Sequence, residues 1–110
     1  MTKLMNKINE YGSLLDSLDL SPFETLNALS LRSTLQQEID KMTNQEKLKM
    51  YQYDLWLLDN IKAVKEQLDQ VYDFSKSNKP SNQWWWHLDK IISEKIVVKG
   101  DLFVETDVAL

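Results

Sequence analysis

Apolar residues recur at every third or fourth position through most of the chain before residue 76, which is the spacing of a helix face that packs on a core. In the first segment these positions are Leu4, Ile8, Tyr11, Leu15 and Leu18. Gly12 interrupts the same segment. Because glycine weakens a helix by about 1 kcal/mol relative to alanine, it indicates a close helix approach or a slight bend. We therefore predict a first helix over about residues 3–18.

Two capping patterns predict two further helix starts. Ser21-Pro22-Phe23-Glu24 combines an N-cap serine with a proline at the first helical position, and Thr43-Asn44-Gln45-Glu46 has the form of a capping box. The apolar positions that follow the first start are Phe23, Leu26, Ala28, Leu29, Leu31, Leu35, Ile39 and Met42. No helix breaker follows the second start until residues 77–82. This predicts a third helix over about residues 44–75, roughly 46 Å long at a rise of about 1.5 Å per residue.

The predicted third helix carries two apolar stripes. The main stripe consists of Met50, Tyr53, Leu57, Ile61, Val64, Leu68 and Val71. The second stripe is confined to the first half and consists of Leu48, Tyr51, Leu55 and Leu58. A helix that is apolar on two sides is typical of a bundle centre or of a helix–helix dimer interface. We therefore predict a homodimer contact through Tyr51, Leu55, Trp56 and Leu58 as an alternative to burial within one chain.

The residues after the polar boundary at 77–82 predict a smaller module. Asn82 is the expected N-cap of a short helix over about residues 83–94, and two β-rich runs then flank Lys99-Gly100-Asp101, which predicts a hairpin. Because an isolated hairpin is marginal in water, we expect it to pack on the third helix. The predicted fold class is mainly α: an antiparallel three-helix bundle with a short fourth helix and a C-terminal β-hairpin packed on the long third helix. It forms a single domain over residues 1–110, with the bundle in 1–76 and the module in 83–110.

Composition narrows the function classes. The 110 residues include 13 basic and 17 acidic side chains, spread along the chain, for a net charge of −4. No segment offers the dense positive field that phosphate binding requires, so nucleic-acid binding is disfavoured. The chain has no cysteine, which fits a reducing compartment, and it has no apolar stretch that indicates a signal peptide or a membrane span. We therefore predict a cytoplasmic protein without a membrane partner.

Three consecutive tryptophans, Trp84, Trp85 and Trp86, precede the only histidine, His87. Side chains on a helix lie about 100° apart and those on a strand alternate, so no regular element points all three indoles into one core. At least one indole then faces a second surface: another part of the chain, a partner, a ligand or solvent. Because tryptophan is enriched in binding hot spots, we predict a partner-binding site of Trp84, Trp85, Trp86, His87 and Asp89, with an exposed indole as its anchor.

The chain lacks the residue sets of catalytic and metal sites. One histidine supplies neither a zinc site nor a catalytic triad, and the aspartates at 16 and 19 and at 69 and 73 stand among polar residues, as on a solvated helix face. We predict no catalytic residue, no metal and no cofactor. The predicted function is a small non-enzymatic protein–protein interaction protein, either an adaptor, a regulator or an immunity-type inhibitor. The alternative is a regulator that binds a ligand or a single-stranded nucleic acid and uses the tryptophans as a stacking platform.

Overall fold

The computed structural model describes residues 3–16, 21–80 and 82–94, together with the backbone of residues 96–98 and 104–106. The α-helices are α1 (Lys3–Leu15), α2 (Pro22–Gln37), α3 (Asn44–Asp59), α4 (Ile61–Leu68) and α5 (Leu88–Ile92). Single 3₁₀ turns cover Ile39–Lys41, Phe74–Lys76 and Trp84–Trp86. Strands β1 (Ile96–Val98) and β2 (Val104–Thr106) pair antiparallel, with Val97 opposite Glu105. The chain divides into two compact units, an N-terminal unit (Met1–Val71) and a C-terminal unit (Tyr72–Leu110).

The N-terminal unit is a bundle of four α-helices. Helix α1 packs on α2 and on α3, and α2 also packs on α4. Its buried apolar residues come from the predicted stripes and are Ile8, Tyr11, Leu15, Ala28, Leu29, Leu35, Met42, Met50, Leu57, Val64 and Leu68. The predicted helical character and these core positions are therefore confirmed. Leu18, the last residue of the predicted first stripe, lies outside the described residues.

Local capping sets the starts of α2 and α3, as the sequence predicts. The Ser21 hydroxyl accepts a hydrogen bond from the Phe23 N–H at 3.2 Å. At α3, the Thr43 hydroxyl accepts from the Glu46 N–H at 3.1 Å, and the Glu46 carboxylate accepts from the Thr43 N–H at 2.7 Å. Both predicted starts are confirmed, because each cap satisfies backbone donors that the first helical turn leaves unpaired.

The prediction of one long third helix is wrong. Helix α3 ends at Asp59 after 16 residues, and the separate α4 has 8 residues. Asn60 lies between them with φ −114° and ψ 24°, and its side-chain amide donates a hydrogen bond to the Trp56 carbonyl at 2.8 Å. The Trp56 carbonyl also keeps its helical bond from the Asn60 N–H at 3.1 Å, so the helix is interrupted at the non-helical backbone of Asn60, a residue type of modest helix propensity.

The predicted fold class is also wrong at the C-terminus. Residues 82–94 form a 3₁₀ turn and the five-residue α5 instead of one short helix over 83–94. A C-terminal β-hairpin packed on the long third helix is not supported, because that helix does not exist and residues 3–16, 21–80 and 82–94 are all-α. The strands pair over three residues each, which is too short a ladder to form a layer by itself. The predicted turn at Lys99-Gly100-Asp101 lies outside the described residues.

Gly12 marks a close approach between α1 and α3, one of its two predicted roles. A Cβ atom on Gly12 would overlap the ring of Tyr53 on α3. The Tyr53 hydroxyl donates to the Asn9 side-chain oxygen at 3.1 Å, and the Tyr53 ring meets the Tyr11 ring edge to face at 6.2 Å. The ring is therefore held in place, and only glycine leaves room for it.

We expect Gly12→Ala to lower the free energy of unfolding by about 1–3 kcal/mol, since overpacking a fixed contact costs that much. We expect this loss of stability even though alanine favours a helix over glycine by about 1 kcal/mol, because the overlap with Tyr53 outweighs that gain. Urea unfolding followed by circular dichroism measures it. Asn6→Ala on the exposed side of α1 is the control and should match or exceed wild-type stability. A Gly12→Ala protein as stable as wild type would contradict the close approach.

Candidate functional site

The three tryptophans of the C-terminal unit are all buried. Trp84, Trp85 and Trp86 form a 3₁₀ turn, and their exposed fractions are 1%, 1% and 5%. Side chains in such a turn point about 120° apart, so the indoles diverge as the sequence argument requires. Each is nevertheless covered, and Trp84 meets Trp85 edge to face at 5.5 Å. The second surface is therefore another part of the chain, and the prediction of an exposed indole is wrong.

Aromatic and cationic neighbours cover Trp86. The Tyr72 ring lies 5.3 Å from the Trp86 ring and 4.9 Å from the Phe74 ring, measured between centroids. The Lys79 ammonium lies 5.2 Å from the centre of the Trp86 ring, within the range of a cation–π contact. These contacts explain why the C-terminal unit begins at Tyr72, before the polar boundary that the sequence suggests.

His87 is buried and fastens a loop of its own unit. Its Nε2 atom lies 2.9 Å from the Lys79 carbonyl oxygen and 3.3 Å from the Pro80 carbonyl oxygen. Because carbonyl oxygens only accept, Nε2 carries the proton and donates it. The other ring nitrogen, Nδ1, lies 3.4 Å from the Lys90 ammonium, which donates to it. Nε2 holds the loop and Nδ1 contacts Lys90 of α5, so both nitrogens are engaged within the unit and His87 has a structural role.

The predicted partner-binding residues are therefore internal parts of the C-terminal unit. Asp89 is half-buried, and its carboxylate lies 3.7 Å from the Lys90 ammonium. The tryptophans and His87 are buried. Binding of a partner by this set stays a prediction, and it now requires that the unit open first.

A buried polar cluster in the N-terminal unit joins three helices, and the sequence analysis missed it. Arg32 on α2 binds Asp54 on α3 with two parallel hydrogen bonds, from Nε at 2.9 Å and from Nη2 at 3.0 Å. The Tyr11 hydroxyl on α1 donates to the same carboxylate at 2.6 Å. Arg32 Nη1 also donates to the Gln36 side-chain oxygen at 2.9 Å. The three contacts to Asp54 hold α1, α2 and α3 in register, and the Gln36 contact orients the guanidinium from within α2.

Burial and charge fix the protonation states of this cluster. Burial raises the pKa of the Tyr11 hydroxyl well above its usual value, and the negative charge of Asp54 raises it further. Burial lowers the pKa of Arg32, but the charge and hydrogen bonds of Asp54 outweigh that effect and leave it raised. Tyr11 therefore stays neutral and Arg32 stays charged. Tyr11 donates one proton and Arg32 donates two to Asp54, so the cluster acts as a structural clamp.

The sequence did contain a signal for this clamp. Arg32 falls between Ala28 and Leu35 at helical spacing, so it shares their buried stripe. Asp54 falls between Met50 and Leu57 in the same way. Opposite charges on two core stripes predict a buried pair, because a charge there must find a partner.

The exposed side of α3 carries Leu48 and Leu55, two of the four large apolar side chains that are exposed among the described residues. We call it the α3 outer face, and it consists of Asn44, Gln45, Leu48, Tyr51, Gln52, Leu55 and Leu58. Leu48 and Leu55 are 59% and 52% exposed. Tyr51 and Leu58 are half-buried. The face carries no charged side chain until Asp59 at the helix end. A solvated helix face normally carries charges, so this surface is a candidate contact site.

Three of the four residues predicted for self-association, Tyr51, Leu55 and Leu58, share the α3 outer face. Trp56 does not, because it lies on the neighbouring side of the helix. There it is half-buried and lines a cleft of about 290 Å³. The other residues that line this cleft are Gly12, Ser13, Leu15, Asp16 and Tyr53.

The predicted aspartate pairs serve local structure where they are described. The Asp69 carboxylate lies 2.8 Å from the Lys65 ammonium, and the Asp73 carboxylate accepts from the Ser75 N–H at 3.0 Å. Asp16 is exposed, and Asp19 lies outside the described residues. Within the described part of the chain, no three His, Cys, Asp or Glu side chains cluster in a way that could hold a metal ion.

Two further observations bear on the class of protein. None of the helices within the described residues combines the length and the apolar composition needed to span a bilayer. Comparison with protein-family models, with curated proteins and with solved structures gave no match.

Proposed function

We propose that this chain is a small non-enzymatic protein–protein interaction protein that binds its partner through the α3 outer face. The observation that carries the proposal is the exposure of Leu48 and Leu55, 59% and 52%, on a face that carries no charged side chain before Asp59. Covering an exposed leucine fully contributes about 1.5–3 kcal/mol. Because each side chain is only about half exposed, covering both contributes about as much as burying one whole leucine, and the other residues of the face must supply the rest of the cost of association. A role as adaptor, regulator or immunity-type inhibitor in the cytoplasm belongs to the same proposal.

The arrangement of polar groups supports binding over chemistry. His87 uses both ring nitrogens within its own unit. The Asp54 carboxylate is buried and bound by Arg32 and Tyr11. A general base needs access to a substrate proton, and neither group has it here.

The anchor of this proposal differs from the one that the sequence suggests. An indole can anchor a partner or stack on a base only if its ring face is accessible, and Trp84, Trp85 and Trp86 are 1%, 1% and 5% exposed. In this proposal the anchor consists of Leu48 and Leu55 of α3 in place of the indoles. No observation favours the alternative of a stacking platform for a ligand or a single-stranded nucleic acid.

A photo-crosslinking experiment tests the proposal. A benzophenone side chain in place of Leu55, with the protein expressed in its native host, is expected to give protein adducts. Leu48→Gln in the same chain should abolish them, because it removes half of the apolar contact. The matched control places the benzophenone at Ser30, an exposed residue of α2, and should give no specific adduct. Equal adducts from both positions, or none from position 55, would refute the proposal.

A further inference from the structure

We infer that the partner of the α3 outer face is the same face of a second copy of this chain, packed antiparallel about a two-fold axis. The two-fold axis crosses the pair of α3 helices at the position of Tyr51 and Gln52. The inference rests on the proposed function, since it names the occupant of the same surface.

The positions of the exposed leucines fit such an axis. Leu48 and Leu55 are seven residues apart, which is close to two helical turns, so both lie on one side of α3. Residues 51 and 52 are midway between them. In an antiparallel pair centred there, Leu48 of one copy lies against Leu55 of the second copy, and this contact occurs twice. A two-fold interface requires that kind of self-complementary patch.

Charge favours the antiparallel direction over the parallel one. Two lysines, Lys47 and Lys49, lie near the start of α3, where the helix dipole is also positive, and the acidic residue of the first turn, Glu46, is buried in the capping box. Asp59 is the last residue of the helix, where the dipole is negative. Antiparallel packing brings Asp59 to the first turn of the second copy, whereas parallel packing places like charges side by side. Unlike ends attract and like ends repel, so one orientation is selected.

The composition of the face suits a contact that forms and dissociates. The amide residues of the face are Asn44 and Gln45 before the leucines and Gln52 between them, and they can be covered without stranding an ion. Helix α3 has 16 residues and is about 24 Å long. An interface of that length falls at the small end of specific protein contacts, so the dimer should be weak and should depend on concentration.

Single cysteines give a direct test, because the natural sequence has none. In the full chain, Gln52→Cys lies at the proposed axis, so two copies bring their thiols together. With the same concentration of oxidised glutathione as oxidant, we expect a disulfide-linked dimer to form at least about tenfold faster than with Ser30→Cys, an exposed control on α2, because the contact raises the local thiol concentration. Circular dichroism checks that both variants are folded.

A mixture of two further variants tests the direction. Antiparallel packing places residue 44 of one copy against residue 59 of the other. Asn44→Cys and Asp59→Cys should therefore link to each other when mixed, and neither should link efficiently to itself. Rapid self-linking of Asn44→Cys would show parallel packing and overturn the inference.

The result for Gln52→Cys separates failure of the inference from failure of the proposed function. If Gln52→Cys links no faster than Ser30→Cys, a second copy is not the occupant and the inference is wrong. In that case, adducts from position 55 to a different protein leave the proposed function standing. If those adducts are also absent, both the inference and the proposed function are wrong.

Discussion

Asp54→Ala is expected to lower the free energy of unfolding by about 3–5 kcal/mol, one of the two largest effects of any single change in this chain. The substitution leaves the Arg32 guanidinium buried without the carboxylate that accepts its two hydrogen bonds at 2.9 and 3.0 Å. It also removes the acceptor of the Tyr11 hydroxyl. Urea unfolding at neutral pH, followed by far-ultraviolet circular dichroism, measures the loss.

A variant that removes both charges distinguishes an unpaired ion from lost packing. Arg32→Met combined with Asp54→Leu replaces the ion pair by apolar side chains, and such replacements are often neutral or stabilising. We therefore expect the double variant to be more stable than Asp54→Ala. If Asp54→Ala itself stays within about 0.5 kcal/mol of wild type, as an ordinary surface change would, the clamp does not hold the helices together.

Trp85→Ala is expected to cost about 3–5 kcal/mol, since a 1% exposed indole leaves a large cavity when it is removed. Thermal unfolding in a Trp56→Phe background, which removes the one tryptophan of the N-terminal unit, lets the remaining tryptophan fluorescence report on the C-terminal unit. We expect a lower unfolding midpoint, because the indole is a core residue. We also expect the rate of disulfide formation in the Gln52→Cys variant to be unchanged, because the indole does not contact the second copy.

Trp84→Phe is the matched control for this prediction. The Trp84 Nε1 atom is buried without a hydrogen-bond acceptor among the described residues, so phenylalanine removes an unpaired donor together with part of the ring. Removal of the unpaired donor stabilises the protein and loss of part of the ring destabilises it, so the decrease in stability should be well below that of Trp85→Ala. A folded Trp85→Ala protein with wild-type stability and lost self-association would place the indole at the interface instead.

The parts of the fold that depend on local sequence were predictable. The caps at Ser21 and Thr43 involve residues within one helical turn, so the pattern alone identifies the helix starts. The buried stripes follow from spacing, because burial of one face is what stabilises an amphipathic helix. Asn60 was harder to predict, because asparagine occurs within helices and only its non-helical backbone shows the interruption.

The parts that depend on distant contacts were not predictable in the same way. The clamp joins residues 22 and 43 positions apart along the chain, and no local pattern states which charges meet. The tryptophan run shows the opposite error. The divergence of the indoles was correctly inferred, but Trp86 is covered by Tyr72, which lies before the predicted polar boundary at 77–82, and by Lys79, which lies within it. We inferred an exposed indole because the three side chains diverge, but another segment of the same unit covers the side chain that we expected to be exposed.

Sedimentation velocity across a range of protein concentrations tests the central claim most directly. The comparison is between wild type and Leu48→Gln/Leu55→Gln, which should both be folded because each leucine is more than half exposed, at 59% and 52%. We expect the wild-type sedimentation coefficient to rise with concentration from that of a monomer towards that of a dimer, and the double variant to remain a monomer throughout. Identical concentration dependence in the two proteins would contradict the claim that α3 binds a second copy.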